Sequence, residues 1–345
     1  MPARSALLPY RDARDLLLSK VMLAAAESVS LDEALGRIFA TDVVVSQSLP
    51  SAVLAGRRGI AVASRDLVGA SPYTPALLTV APALILHGDP LPQDADAVIE
   101  EEAVVSSGGF HEVGQSAYPG EGAILPGADL VAGTRVAAAG TVATPATLLA
   151  LALAGVTHVS VRSPAIAIEG DEASPASEWL RATLASGGCR IAREGALRVV
   201  VAHDPQEMVR RCGRPLATGL ALNPGRDIAI ADDDGTPILV LPRRFDAVVA
   251  ACHALIVPAL AAMTGRVVET IERPLLGKIV SRIGFAELAL LRIAAAGYEP
   301  LAAGHVPLAA LIAADAVAIV EADSEGAPAG PLFAATPIGQ SRGSS

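Results

Sequence analysis

The sequence predicts a multidomain chain of the α/β plus β class. Three observations carry that expectation. At 345 residues the chain is longer than one hydrophobic core usually serves. Residues 164–264 alternate strand and helix patterns, the texture of a helix-covered sheet. Residues 46–141 and 265–345 break instead into short apolar runs separated by Gly, Pro and Ser, the texture of β-rich domains.

The elements follow in order. Residues 11–26 read as a helix with one apolar face. Ser30 with Glu33 three positions later is a capping-box pattern that opens a second, short helix. Within 46–141 the runs 81–86, 97–99 and 134–136 fit strands. Pro145 sits in the first turn of an Ala/Leu helix that Gly155 ends, and a strand follows over 156–161. In 164–264 the pattern predicts strands at 165–168 and 197–202 and a helix at 175–187. It continues with a hairpin, 227–231 against 237–241, around a solvated Asp232-Asp233-Asp234-Gly235 turn, and a long helix at 245–263. The remaining residues, 265–345, suit a small β domain with one helix near 285–297.

Composition excludes several functions. The net charge is −10 and no basic block offsets it, so a nucleic-acid partner is not expected. Aromatics make up 3% of the chain, too few for base-stacking platforms. Mean hydropathy is positive, yet the run 147–156 is too short to span a bilayer, and 245–263 contains Asp246, His253 and Pro258. No membrane partner is expected. Charged residues from Arg4 to Asp15 interrupt any leader-like run, and Cys189, Cys212 and Cys252 are widely spaced, so a reducing, cytoplasmic setting is expected. Only Lys20 and Lys278 are lysines, so an anion site would be built from arginine forks.

No generic catalytic signature is present. The six histidines form no HxH, HExxH or HxE pattern, which leaves no local metal motif. Dinucleotide, P-loop and nucleophile-elbow strings are missing too, and Asp232 to Asp234 lacks the alternate spacing of a calcium loop.

A set of collinear segments is more informative. Residues 31–43 (LDEALGRIFATDV) are followed by Leu49-Pro50, by Gly59-Ile60-Ala61-Val62 and by His87-Gly88-Asp89-Pro90-Leu91-Pro92. Then come Ala95-Asp96-Ala97-Val98-Ile99, residues 127–133 (GADLVAG), Leu153-Ala154-Gly155-Val156, Gly170-Asp171-Glu172, Asn223-Pro224-Gly225-Arg226 and Leu241-Pro242. In order and spacing this set resembles the molybdopterin molybdenumtransferase family, MoeA and the gephyrin E domain. The resemblance runs over nearly the whole chain, with a specific first half and a shortened middle third. It implies an elongated, homodimeric subunit. The parts would be a helical stem (1–45 and 142–163), a β-rich arm (46–141), an α/β molybdopterin-binding-type domain (164–264) and a C-terminal β-barrel-like domain (265–345). It also implies insertion of molybdate into adenylylated molybdopterin, with Mg²⁺, and that chemistry calls for carboxylates, a phosphate-cradling Gly/Ser loop and cations.

Carried over by position, much of that chemistry is altered. Where the family has the Asp of an Asn-Ser-Ala-Met-Asp-Gly-Tyr-Ala string, this chain has Arg58. His87 stands at a Thr position. One acid, Asp129, remains of an Arg-Arg-x-Gly-Glu-Asp string. His203-Asp204-Pro205 follows the strand where a Ser-Gly-Gly-x-Ser-x-Gly loop belongs. A Lys-Pro-Gly-Lys-Pro string reads Asn223-Pro224-Gly225-Arg226-Asp227, and a Pro-Gly-Asn-Pro turn reads Pro242-Arg243-Arg244-Phe245. The candidate ligand residues are therefore Arg58, His87, Asp129, Asp171, Asn223, Arg226, Arg243 and Arg244. Asp171 has two readings, a helix-capping acid or a ligand contact. The arginines also have two: solvated remnants of a decayed site, or a new anion site in the old cleft.

The function expected is that of a degenerate relative, a pseudoenzyme in molybdenum cofactor biosynthesis that binds a pterin-like or other phosphorylated anion. A competent molybdenumtransferase with a divergent site is the first alternative, and a ligand-free assembly partner the second. The cofactor is left unknown; Mg²⁺ and molybdate enter only with the family activity. Apolar faces on the helices at 11–26 and 145–154 add to the expectation of a homodimer.

Overall fold

The structure is a computed structural model that describes residues 7–78, 81–170 and 174–338. The chain divides into two compact units, one of residues 1–41, 138–145 and 158–345, the other of residues 42–137 and 146–157.

The larger unit opens with strand β1 (Leu8–Pro9) and helix α1 (Tyr10–Leu18). The expected helix over 11–26 stops at Leu18. Ser19 turns its hydroxyl back onto the carbonyl of Leu16 at 2.7 Å, Lys20 is drawn to Asp232, and Ala24 donates its amide to Met263 at 2.7 Å. Tertiary partners thus outbid the local helical preference of Ala and Leu. Strand β2 (Glu27–Ser30) leads into α2 (Leu31–Ala34) through the expected capping box. The Glu33 carboxylate accepts from the Ser30 hydroxyl at 2.9 Å and from its amide at 3.3 Å. With β3 (Ile38–Phe39) and β4 (His158–Arg162), β2 forms a small antiparallel sheet in the order β2-β4-β3.

The next segment holds β5 (Ala165–Gly170), α3 (Pro175–Ser186), β6 (Arg190–Ala192), β7 (Leu197–Ala202), α4 (Pro205–Cys212), β8 (Arg214–Ala217), β9 (Leu220–Asn223), β10 (Ala229–Asp233) and β11 (Thr236–Pro242), of which all the strands but β9 form one doubly covered sheet. The strand order is β6-β5-β7-β11-β10-β8, with the first four strands parallel. Alternate residues serve opposite faces. Leu197, Val199, Leu239 and Leu241 pack into the large core with α1, α3 and the helix α5 (Phe245–Thr264). Val200, Ala202, Ile238 and Val240 pack on the other side with Val209 of α4. Burial on both faces explains why these strands read as near-continuous apolar runs.

Helix α5 runs without a break for 20 residues and is long and apolar enough to cross a membrane by composition alone. Its hydropathy is accounted for by burial: Ala247 to Ile256 face the core, apart from a partly exposed His253. Its middle, Cys252–Ile256, is π-helical just before Pro258, a residue with no amide hydrogen to continue the α ladder. Gly265 ends it at φ +72°.

The last segment contributes β12 (Ile271–Pro274), β13 (Ala286–Ala294), β14 (Gly297–Ala303), α6 (Leu308–Ala313), β15 (Ala316–Val320) and β16 (Leu332–Pro337). The helix expected near 285–297 is instead β13, the centre of a seven-stranded sheet ordered β1-β9-β13-β15-β16-β12, with β14 also on β13. Leu288 and Leu290 enter the large core, while Ala289 and Leu291 enter a second one with Leu275 and Tyr298. An Ala/Leu run buried on both sides lacks the alternation that marks a strand. Because β1 and β9 also join this sheet, it is not built from residues 265–345 alone.

The smaller unit consists of short antiparallel sheets. Gly59–Val62 lies between Ala83–Ile85 and Ala97–Ile99, with Ile60 opposite Leu84 and Ala61 opposite Val98. Phe110–Val113 lies between Val104–Ser107 and Ala76–Leu78. Ile60, Val62, Leu67, Ala97, Ile99 and Val113 form its core. The helix Pro145–Leu153 begins at Pro145 as expected, and its residues from Ala146 on group with this unit.

Candidate functional site

In a doubly wound sheet, ligands bind where consecutive connections leave in opposite directions, beyond the carboxyl ends of the strands. Here that point lies between β5 and β7. The connection from β5 through α3 runs outward to β6, and the chain then crosses to β7 and on toward β11. Gly170 ends β5 at φ +96°, and an added Cβ would lie 2.1 Å from the Val201 carbonyl oxygen. Only glycine therefore lets β5 and β7 stay paired at this end. Asp171 and Glu172, which follow, lie outside the described residues.

A cavity of about 310 Å³ opens at the ends of β7 and β11, lined by His203, Asp204, Pro205, Gln206, Asp227 and Pro242. Asp204 is the N-cap of α4. Its carboxylate accepts from the amides of Gln206 at 2.9 Å and Glu207 at 3.0 Å, and Pro205 fills the first helical position, where no amide is needed. The amides that could cradle a phosphate here are held by the chain's own carboxylate.

The candidate residues are distributed around this frame. Arg226 precedes Asp227 in the cavity wall; its guanidinium lies 4.9 Å from the Phe285 ring centroid, in cation–π contact. Arg243 is exposed on the loop after Pro242. Arg244 gives its Nε to Asp246 at 2.7 Å and lies over the Phe245 ring. Asn223 ends β9 opposite Glu287 of β13 and donates Nδ2 to its carboxylate at 3.4 Å. Glu287 is 5% exposed.

Three candidates belong to the smaller unit. Arg58 is exposed and pairs with Glu101 at 3.0 Å. His87 holds the Gly56 carbonyl through Nδ1 at 2.8 Å. Asp129 is exposed, with its amide on the Leu49 carbonyl at 2.9 Å.

Sequence reasoning passed over Asp204, Asp227 and Glu287 as site residues. The pair Asp204-Pro205 carries a legible signal, an N-cap acid followed by Pro at the first helical position. Asp227 and Glu287 carry none, because only the folded sheets bring them to the ends of β9 and β11.

The family of the MoeA N-terminal region (domain I and II) matches residues 8–155. That segment carries the chain's likeness to the MoeA family. A protein of Methanocaldococcus jannaschii named for molybdopterin biosynthesis is 30% identical over 182 residues, 48% of this chain and 46% of its own length. Molybdopterin molybdenumtransferase 2 of Mycobacterium tuberculosis is 33% identical over 153 residues, 39% of this chain and 37% of its own. The matched region thus spans less than half the length of either curated relative. The MoeA fold extends further. The molybdopterin biosynthesis MoeA protein of Pyrococcus horikoshii superposes with a TM-score of 0.69 at 22% identity, covering 96% of this chain and 100% of that one. A molybdenum cofactor biosynthesis protein of Pyrococcus furiosus gives 0.61 at 18% identity, covering 96% and 100%.

The chemistry that the sequence resemblance implies would call for Mg²⁺. Among the described residues no three His, Cys, Asp or Glu side chains cluster as a donor set, and the Asp204 carboxylate is committed to the α4 amides. The described residues therefore offer no donor set that fits that ion.

Proposed function

We propose that this MoeA relative in molybdenum cofactor biosynthesis is degenerate, and that it binds a pterin-like or other phosphorylated anion without inserting molybdate. Asp204 carries the reading. A phosphate approaching the head of α4 would meet a carboxylate whose bonds to Gln206 and Glu207 already satisfy the free amides. Loss of one well-placed electrostatic group typically costs about 10²–10³ in rate. This chain changes several, with Arg58 at an Asp position of the family string and Asn223 at a Lys position. Arg226 and Arg243 are exposed and adjoin in sequence Asp227 and Pro242, which line the crevice, so they are the cations that would draw an anion to it.

A homodimer in the cytoplasm belongs to the same reading, and the net charge of −10 argues against nucleic-acid partners. The test is reconstitution of a molybdoenzyme from adenylylated molybdopterin and molybdate by the purified protein. No activity above background is expected. Turnover comparable with an intact relative would make the chain a molybdenumtransferase with a divergent site. Ligand-dependent thermal stabilisation by a phosphorylated pterin separates a binder from a ligand-free assembly partner, because only a binder gains stability by mass action.

A further inference from the structure

A second cavity of about 310 Å³ lies at the opposite end of the parallel sheet, beside the starts of β5 and β6. Its walls include Glu33 and Leu35 at the end of α2, Arg37, Ser163 just before β5, Gly188 after α3 and Arg190 on β6. Gly188, at φ +83°, holds two turns in close approach, since an added Cβ would lie 2.6 Å from the Gly36 carbonyl oxygen. The exposed carbonyls at the end of α3 are already satisfied by the amides of Gly187, Gly188 and Cys189, which softens the negative end of that helix.

Two polar groups here lack partners among the described residues. The Ser163 hydroxyl oxygen is buried and makes no hydrogen bond. The Arg190 guanidinium forms no ion pair among the described residues. Arg37 meets Glu27 through one nitrogen, at 2.9 Å, which leaves the rest of its fork available. A buried hydroxyl without a partner is uncommon enough to require an explanation. Beside two guanidinium groups, the explanation with the right chemistry is an anionic ligand.

We infer that this cavity binds a small phosphomonoester. A tetrahedral phosphate can accept from both guanidinium groups and the hydroxyl together, whereas one guanidinium fork uses up both oxygens of a carboxylate. The cavity exceeds a bare phosphate and falls at the lower end of the range for small-molecule sites. Leu35, 56% exposed, offers the rest of the ligand an apolar wall. The site is separate from the crevice at the head of α4 and does not depend on how that crevice is read.

Calorimetric titration of the full chain with ribose 5-phosphate, inorganic phosphate and ribose tests this. Saturable binding of ribose 5-phosphate is expected, with phosphate weaker and ribose silent. Arg190→Gln should weaken the ester about tenfold or more, and Ser163→Ala by a smaller factor, with both variants melting like the parent. Absence of saturable binding overturns the inference. Equal affinity for phosphate and ester overturns it as well, by leaving a site for the free ion only. Loss of binding in Arg226→Gln but not in Arg190→Gln would assign the ligand to the other crevice and end the proposal.

Discussion

The ammonium of Lys20 lies 2.5 Å from a carboxylate oxygen of Asp232, whose side chain is only 8% exposed. The chain just beyond α1 is thereby fastened to the hairpin between β10 and β11. Asp232 also accepts from the Gly235 amide at 2.8 Å. The turn expected to be solvated is therefore anchored at its first acid.

This pairing predicts an acid-sensitive contribution to stability. The hydrogen bond from Lys20, and then the Gly235 amide, hold the Asp232 carboxyl below its ordinary value. A carboxylate lowered in the folded state stabilises the protein above the unfolded value, about pH 3.9, and loses that contribution as pH falls through the folded one. Lys20→Met should lower the melting temperature at pH 7 and flatten its dependence on pH below about 4. Thermal melts from pH 3 to 7 check both points.

His253, in the π-helical turn of α5, gives a second pH dependence of different origin. Burial lowers its imidazole to about 4, and Trp179 lies beside it at 6.4 Å between ring centroids. The unfolded chain, titrating near 6.5, takes up the proton first, so stability should fall as pH drops from about 6.5 to about 4 and then level off for this group. The total change is up to about 3 kcal/mol. His253→Gln, which cannot protonate there, should lose this slope in denaturant titrations across that range.

Asp204 tests the occupied head of α4. Asp204→Ala should cost about 1 kcal/mol in denaturant unfolding, the usual loss for an N-cap acid. Removing the charge also frees the Gln206 and Glu207 amides, so phosphate should protect this variant against heat more than it protects the parent. Equal protection of the two would show that the carboxylate does not keep anions out.

Gly170 tests the close approach of β5 and β7. Gly170→Ala adds a Cβ 2.1 Å from a backbone oxygen at a φ of +96°. No side chain can move aside to make room. A loss of about 2 kcal/mol or more is expected in equilibrium unfolding, whereas Gly235→Ala, where an added Cβ meets nothing, should lose less.

Several elements were legible in the residues alone because each is set by a few neighbours. The Ser30 and Glu33 capping box, the helix start at Pro145, its stop before Gly155 and the strands Ala97–Ile99 and Leu197–Ala202 all stand where the sequence places them. Caps, proline and left-handed glycine act through local hydrogen bonds and sterics, so no distant partner can change their meaning. The collinear segments likewise carried the resemblance to the MoeA family, because their order and spacing are read along the chain without knowledge of packing. Tertiary structure alone decided the rest. β13 is a strand because β14 and β15 bond its edges and two cores cover its faces, although its Ala and Leu would equally suit a helix. α1 ends at Leu18 because Asp232 and Met263, more than 200 positions away, claim the residues that follow. Both cavities also bring together residues far apart in the chain, Asp204 with Asp227 and Pro242, and Arg37 with Ser163 and Arg190. Such a grouping depends on strand order, and strand order is fixed by which apolar faces bury each other, a property of the whole fold.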